Sequence, residues 1–341
     1  MTAEADDDDL QHLAEWFSQQ DIPLDGVPRL ELIKGGRSNL TYRVVDDEGG
    51  RYVLRRPPRG HVLESAHDVA REHRVITALA GSRVPVPKSF GLCTDLRVLG
   101  APFYVMNLVP GSVITNDADG ATFPLPARTR ASRGLMDALA EIHLIDVAAV
   151  GLGTLGRKQD YCQRQLRRWQ RQFHASTRRD LPLVDKLHDR LVASVPPQRF
   201  TGLVHGDYRP GNTLLGDDGS LQAVLDWELA TLGDTLADLG WMLGTWREPG
   251  EEELFESPTG HEGWLSRQQL LDHYQRRTGR DVSDVGWYIV FALWRLACIS
   301  EGIYTRYRLG VMGDDGFNVE AQGSLVVRLA EAARDSLDLL N

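Results

Sequence analysis

Residues 204–213 read VHGDYRPGNT, and residues 221–228 read LQAVLDWE. The first stretch leaves an apolar run and then sets His205, Asp207 and Asn212 close together. The second is an apolar run that stops at Asp226. Strand-like runs at 213–215 and 222–226 surround Gly219 and read as a hairpin. A hairpin returns its two ends to one place, so Asn212 and Asp226 should meet at a single mouth.

That arrangement suits phosphoryl transfer. A carboxylate must orient the attacking hydroxyl and accept its proton, and oxygen ligands must hold Mg²⁺ across the phosphates. Asp207 followed five residues later by Asn212 keeps the spacing of the protein-kinase signature H-R-D-x-x-x-x-N, with Gly206 in place of the arginine. Asp226 stands where the D-F-G aspartate of that fold belongs. On this reading Asp207 is the base, and Asn212 and Asp226 hold the metal.

Composition bounds the remainder. The 341 residues suit two lobes, and 42% hydrophobic with 25% charged residues is an ordinary globular balance. A net charge of −10 argues against generic nucleic-acid binding, which needs a basic face. Cys93, Cys162 and Cys298 lie far apart without a CxxC pair, so they read as separate buried thiols in a reducing cytoplasm. The acidic start MTAEADDDDLQ does not read as a secretory leader. The longest apolar stretch, WYIVFALWRLACI at 287–299, carries Arg295 and reads as a buried helix rather than a membrane span.

Read along the chain, an amphipathic helix follows Asp6–Asp9, with Leu10, Leu13, Trp16 and Phe17 on one stripe. Strands are expected at 30–34, 40–45 and 52–56, with DDEGG as a hairpin turn. A helix at 65–81 with Ser65 as its cap comes next, and then strands in VPVPKSFGLC and PFYVMNLVPG. Beyond residue 111 the pattern turns helical, at 128–147, 158–193, 235–246, 266–278, 283–307 and 320–339. The expected fold is α+β and bilobal: a small β-rich N-lobe over 1–106, a hinge at 107–111, and a larger, mainly helical C-lobe over 112–341.

H-G-D-x-x-x-x-N followed by a strand ending in L-D-W resembles the aminoglycoside phosphotransferase and choline-kinase-like branch of the protein-kinase fold. LRRPP, AREHRVITAL, PFYVMNLVPG and LATLGDTLADLGWML are most similar to the kinase-like domains fused to acyl-CoA dehydrogenases. The resemblance implies an ATP- and Mg-dependent kinase. It implies that His205 braces the loop, that Asp238 holds it by hydrogen bonds, and that Asp234 caps the helix of Asp238. It implies that Arg55 stands for the phosphate-binding lysine, paired with Glu72. Backbone groups of Asn107–Val109 would bind adenine, with Met106 behind it.

The chain also departs from the pattern. GGRSNLTY replaces a glycine-rich loop, leaving Ser38 and Asn39 to touch phosphate. Arg56 is as basic as Arg55, but a strand alternates faces, so only one can point into the cleft, and Arg55 is favoured. No A-P-E sequence or activation segment follows Asp226, which argues against a protein kinase. Trp227, Trp241 and His143 read as packing residues.

The arginine-rich run 157–190 is read partly as a solvated face and partly as a surface for an anionic acceptor, such as a hydroxyacyl-CoA. The acidic stretch EPGEEELFE at 248–256 could instead receive a cation. Tyr304 and Arg308, on helix 283–307, are acceptor-side candidates. The alternatives are an aminoglycoside-resistance enzyme and a nucleotide-binding pseudokinase scaffold.

Overall fold

The computed structural model describes residues 6–33, 39–57, 69–312 and 316–338. Helix α1 (Asp7–Gln19) opens on a capping box in which the Asp6 carboxylate accepts from the Asp9 N–H and the reverse bond is also made. Strands β1 (Arg29–Leu32), β2 (Leu40–Asp46) and β3 (Gly49–Arg56) precede helix α2 (Val69–Leu79). Strand β4 (Ser89–Cys93), the short helix α3 (Leu96–Leu99) and strand β5 (Phe103–Asn107) complete this lobe. The antiparallel sheet runs in the order β1-β2-β3-β5-β4.

Alternation along these strands sorts the side chains into two cores. Tyr52 and Leu54 of β3, with Phe103 and Val105 of β5, face Leu13, Trp16 and Phe17 of α1. Trp16 meets Phe103 edge-on at 5.0 Å. Val53, Tyr104 and Met106 take the opposite face and join Val75, Ile76 and Leu79 of α2 in the larger core. Arg55 pairs with Tyr104 in the register and so lies on this inner face. Arg56 goes to the other face, buried against the Tyr42 ring.

The second lobe contains helices α4 (Asp117–Thr122), α5 (Leu125–Leu144), α6 (Tyr161–Ser176) and α7 (Pro182–Ala193). Strands β6 (Thr201–Val204), β7 (Thr213–Leu215), β8 (Leu221–Val224) and β9 (Thr231–Asp234) follow. Helices α8 (Leu236–Thr245), α9 (Arg267–Thr278), α10 (Val285–Arg308) and α11 (Val319–Asp338) end the chain. Helix α8 is buried on nearly every face and packs on α10. Gly240 permits this, since a Cβ there would lie 2.4 Å from the Tyr288 Cβ. Among the described residues no helix is long and apolar enough to cross a membrane.

Three local expectations change. The single helix read over 158–193 is two, because the chain turns extended at Thr177 and Pro182 opens a new helix at its first turn. Thr231–Asp234, unassigned from sequence, is a strand paired with Thr201–Val204. The short helices α3 and α4 were also not anticipated. Ser65, the expected cap of the helix now called α2, lies outside the described residues.

Candidate active site

Strand β6 ends at buried Val204 and delivers His205 to the loop. The Asp238 carboxylate, buried on α8, accepts from the His205 N–H at 2.5 Å and the Gly206 N–H at 2.8 Å. Burial raises this carboxyl, but His143, His205 and the Gly206 N–H outweigh it and hold Asp238 below its ordinary value. His205 Nε2 lies 2.9 Å from the Leu225 carbonyl and must donate to it. Its Nδ1 is then free to accept the Asp207 N–H at 3.3 Å. One imidazole thus ties the loop to the strand that leads to Asp226.

Both Asp207 oxygens are held. Trp241 Nε1 donates to Oδ1 at 2.8 Å, and Asn212 Nδ2 donates to Oδ2 at 2.8 Å. Arg209 Nε lies 3.6 Å from Oδ1, and a quarter of the Asp207 side chain stays exposed. Asn212 Nδ2 also donates to the Asp207 carbonyl at 2.8 Å, and among the described residues the amide oxygen remains as its free acceptor. The Asn212 carbonyl accepts the Leu225 N–H at 2.9 Å, fastening the loop beside Asp226. Asp226 has φ 62°, a left-handed conformation rare for a residue with a Cβ and costing about 1–3 kcal/mol.

The N-lobe closes on this floor through Arg55. Its Nη1 pairs with Glu72 Oε1 at 2.9 Å, and its Nη2 with Asp226 Oδ1 at 2.7 Å. Glu228 Oε2 lies 3.8 Å from Nη2 and accepts from Asn39 Nδ2 at 3.2 Å. Glu72 Oε1 also accepts the Trp227 N–H at 3.2 Å. Burial pushes the Glu72 carboxyl up to about 7, against the pull of Arg55. Burial would lower the Arg55 guanidinium, but Glu72, Tyr104 and Asp226 hold it above its ordinary value. Arg55 Nε and Asn39 Oδ1 are buried without a hydrogen-bond partner among the described residues.

The donor set fits Mg²⁺. A free amide oxygen on Asn212 and a partly exposed carboxylate on Asp226 are hard ligands. Among the described residues no three His, Cys, Asp or Glu side chains form a cage. Mg²⁺ binds through one or two protein oxygens, with water and phosphate oxygens completing the shell, so none is required.

At the end of β5, Met106 is buried. The Asn107 N–H donates to the Lys88 carbonyl at 2.9 Å and the Leu108 N–H to the Arg51 carbonyl at 2.8 Å. The Val109 N–H has no backbone hydrogen bond among the described residues.

A model of the phosphotransferase enzyme family (APH) matches residues 29–265, well over half the chain. The chain belongs to the APH phosphotransferase enzyme family. It is 35% identical over 318 residues to the probable acyl-CoA dehydrogenase IBR3 of Arabidopsis thaliana, covering 86% of this chain and 38% of that protein. It is 32% identical to acyl-CoA dehydrogenase family member 10 of Mus musculus, covering 88% of this chain and 28% of that protein. The chain therefore spans about a third of the length of these curated relatives. A crystal structure from Ralstonia eutropha JMP134, assigned provisionally as an aminoglycoside phosphotransferase, superposes with a TM-score of 0.80 at 32% identity, covering 96% of this chain and 97% of that one. The GDP complex of aminoglycoside 2'-phosphotransferase-IIIa shares the fold, with a TM-score of 0.65 at 15% identity over 95% of this chain and 99% of that one.

Other expected residues of this APH chain lie elsewhere. Ser38 falls outside the described residues. Asn39 is described, but its side chain is buried and turned to Glu228 rather than open to phosphate. Tyr304 packs on the Arg179 guanidinium at 4.1 Å, and Arg308 reaches Glu320 at 3.6 Å. The α10 residue that meets the loop is Arg295, whose Nη2 donates to the Gly206 carbonyl at 2.9 Å. At 1.5 Å rise per residue, Tyr304 and Arg308 sit about 13 and 20 Å further along the helix. Their contacts turn them toward α6–α7 and α11, not toward Asp207.

The charged runs are partly structural. Within the basic run Arg179 pairs with buried Glu301 at 2.5 Å, and Arg157 pairs with Asp160 at 2.9 Å. Within the acidic stretch Glu251 pairs with Arg267 at 2.6 Å. Asp234 lies just before the Thr235 cap; it accepts from the Leu236 N–H at 3.2 Å and from Tyr288 Oη at 2.7 Å.

The sequence reading passed over Arg209 and Glu228, took Trp241 only as packing although it donates to Asp207, and used Arg295 only to exclude a membrane span although it donates to the Gly206 carbonyl. The Arg209 guanidinium sits 5.2 Å over the Phe255 ring, so Phe255 borders the Asp207 loop. Its position two residues after Asp207 was a readable signal. An indole in the apolar helix α8 or an arginine inside α10 gives none.

Proposed function

We propose that this APH chain transfers the γ-phosphoryl group of ATP to the hydroxyl of a small anionic molecule, with a hydroxyacyl-CoA as first candidate. The observation that carries the reading is the convergence of Asp207, Asn212 and Asp226 beneath Arg55. In this mechanism Asp207, oriented by Trp241 and Asn212, accepts the hydroxyl proton as the hydroxyl oxygen bonds to the γ-phosphorus. The bond from that phosphorus to the bridging oxygen breaks, and ADP leaves. Asn212 and Asp226 hold Mg²⁺, which when bound offsets charge on the phosphates. Arg55, positioned by Glu72, steadies the α- and β-phosphates, and the Val109 N–H receives the base.

We place the hinge at 107–111 and the reaction in the cytoplasm, where three buried free cysteines would stay reduced. An anionic acceptor is favoured by Arg209 beside the base and by relatives named as acyl-CoA dehydrogenases. A coupled ADP-release assay over hydroxyacyl-CoAs, free hydroxy acids and aminoglycosides tests the reading. Turnover is expected with the anionic acceptors. Turnover with aminoglycosides alone overturns the acceptor class, and ATP binding without turnover on any acceptor points to the scaffold reading.

A further inference from the structure

A cavity of about 700 Å³ lies outside the catalytic constellation, walled by α5, the β7–β8 turn and the segment after α2. That is the size of a small-molecule site. Arg83, Arg130, Arg133 and Arg277 line it, against Asp137 and Glu141. Arg277 is neutralised by Asp137 at 2.9 Å and Glu141 at 2.8 Å. Arg83 reaches Glu141 only at 3.7 Å and is 83% exposed. Arg130 meets Asp218 at 2.6 Å, with both side chains more than half exposed, and exposed pairs of this kind hold weakly. Arg133 has no hydrogen bond or ion pair among the described residues. The cavity is therefore cationic in a chain of net charge −10.

The wall is rigid. Gly219, at φ +81°, lets the hairpin turn press on α5, where a Cβ would lie 2.1 Å from the Ala127 carbonyl oxygen. The turn closes through the Gly219 N–H to the Gly216 carbonyl at 2.8 Å. The cavity also straddles the lobes. Arg83 follows α2, which carries Glu72, whereas Arg130 and Arg133 belong to α5. The Val224 N–H donates to the Pro85 carbonyl at 2.8 Å, joining the N-lobe segment to the strand that leads to Asp226.

We propose that this cavity binds a phosphate-bearing small molecule, gripped by Arg83 from one lobe and by Arg130 and Arg133 from the other. Guanidinium forks match phosphate oxygens with paired, charge-assisted hydrogen bonds. The proposal is independent of turnover at Asp207. Calorimetric titration of the full chain with pyrophosphate tests it, with Arg55→Ala run in parallel to remove the phosphate-facing cation of the cleft. Saturable binding is expected in wild type and Arg55→Ala alike, weakened about tenfold or more in Arg133→Glu. That variant breaks no ion pair, so its melting temperature should hold; Arg83→Glu is the second probe. Citrate, which carries comparable charge on carboxylates, should bind more weakly. No saturable binding, binding untouched by both glutamate variants, or binding lost in Arg55→Ala instead overturns the site. Citrate binding as tight as pyrophosphate overturns the phosphate assignment.

Discussion

Around Asp207 most of the loop's polar groups end on protein: both carboxylate oxygens accept hydrogen bonds, the His205 and Gly206 N–H groups end on Asp238, and the Gly206 carbonyl ends on Arg295. Around Arg55 the accounting stays open. Arg55 Nε and Asn39 Oδ1 are buried without partners among the described residues, and one arginine faces three carboxylates, those of Glu72, Asp226 and Glu228. Buried polar groups are costly unless satisfied, so an incomplete network marks a place arranged for something other than stability. The floor's carboxylate and backbone groups are held in the free protein, with the Asn212 amide oxygen left for a metal; the roof keeps the Arg55 Nε donor in reserve.

Substitutions should separate these two regions. Asp207→Asn should lower kcat by about 10²–10⁴-fold, the range of a lost general base, while ATP affinity in a titration stays near wild type. Turnover at the wild-type rate would remove Asp207 from the chemistry. Asp238→Ala leaves two buried N–H groups without acceptors and should cost about 2–5 kcal/mol in a denaturant melt, with activity falling alongside. Arg55→Ala should act differently, weakening nucleotide binding by about 10- to 100-fold and leaving the His205–Asp238 brace folded. If Arg55→Ala destabilised the chain as much as Asp238→Ala, the contrast between floor and roof would fail.

The smallest effect concerns pH. The Glu72 carboxyl stands at about 7 in the fold, above its ordinary 4.5, so the folded state holds this proton more tightly than the unfolded chain does. The resulting stability is full below pH 4.5 and is lost as pH rises through 7. Melts between pH 5 and 8 should therefore show wild type losing stability relative to Glu72→Gln as pH rises. Parallel curves would mean that Glu72 does not titrate in this window.

Much of the floor could be read from sequence because the H-G-D-x-x-x-x-N spacing fixes where Asn212 falls relative to Asp207. Alternation along β3 allows only one of Arg55 and Arg56 into the cleft without saying which, and the register that sets Arg55 opposite Tyr104 decides it. Other features left weaker marks. Thr231–Asp234 is four residues long and holds Gly233, so no periodicity identifies it as a strand. The break at Thr177–Leu181 was marked only by Pro182, because helical spacing resumes after it. Tyr304 and Arg308 lie on α10, but a sequence does not say which turn of a 24-residue helix reaches the loop. Arg295 does, about two and a half turns before Tyr304 and about three and a half before Arg308.

Titration of ATP into wild type and Asp226→Asn, each with and without Mg²⁺, tests the convergence beneath Arg55 most directly. Wild type should bind ATP at least about tenfold more tightly with the metal, and Asp226→Asn should lose that gain, as expected when a charged ligand becomes neutral. Identical Mg²⁺ dependence in the two proteins would contradict the assignment of Asp226, and with it the site.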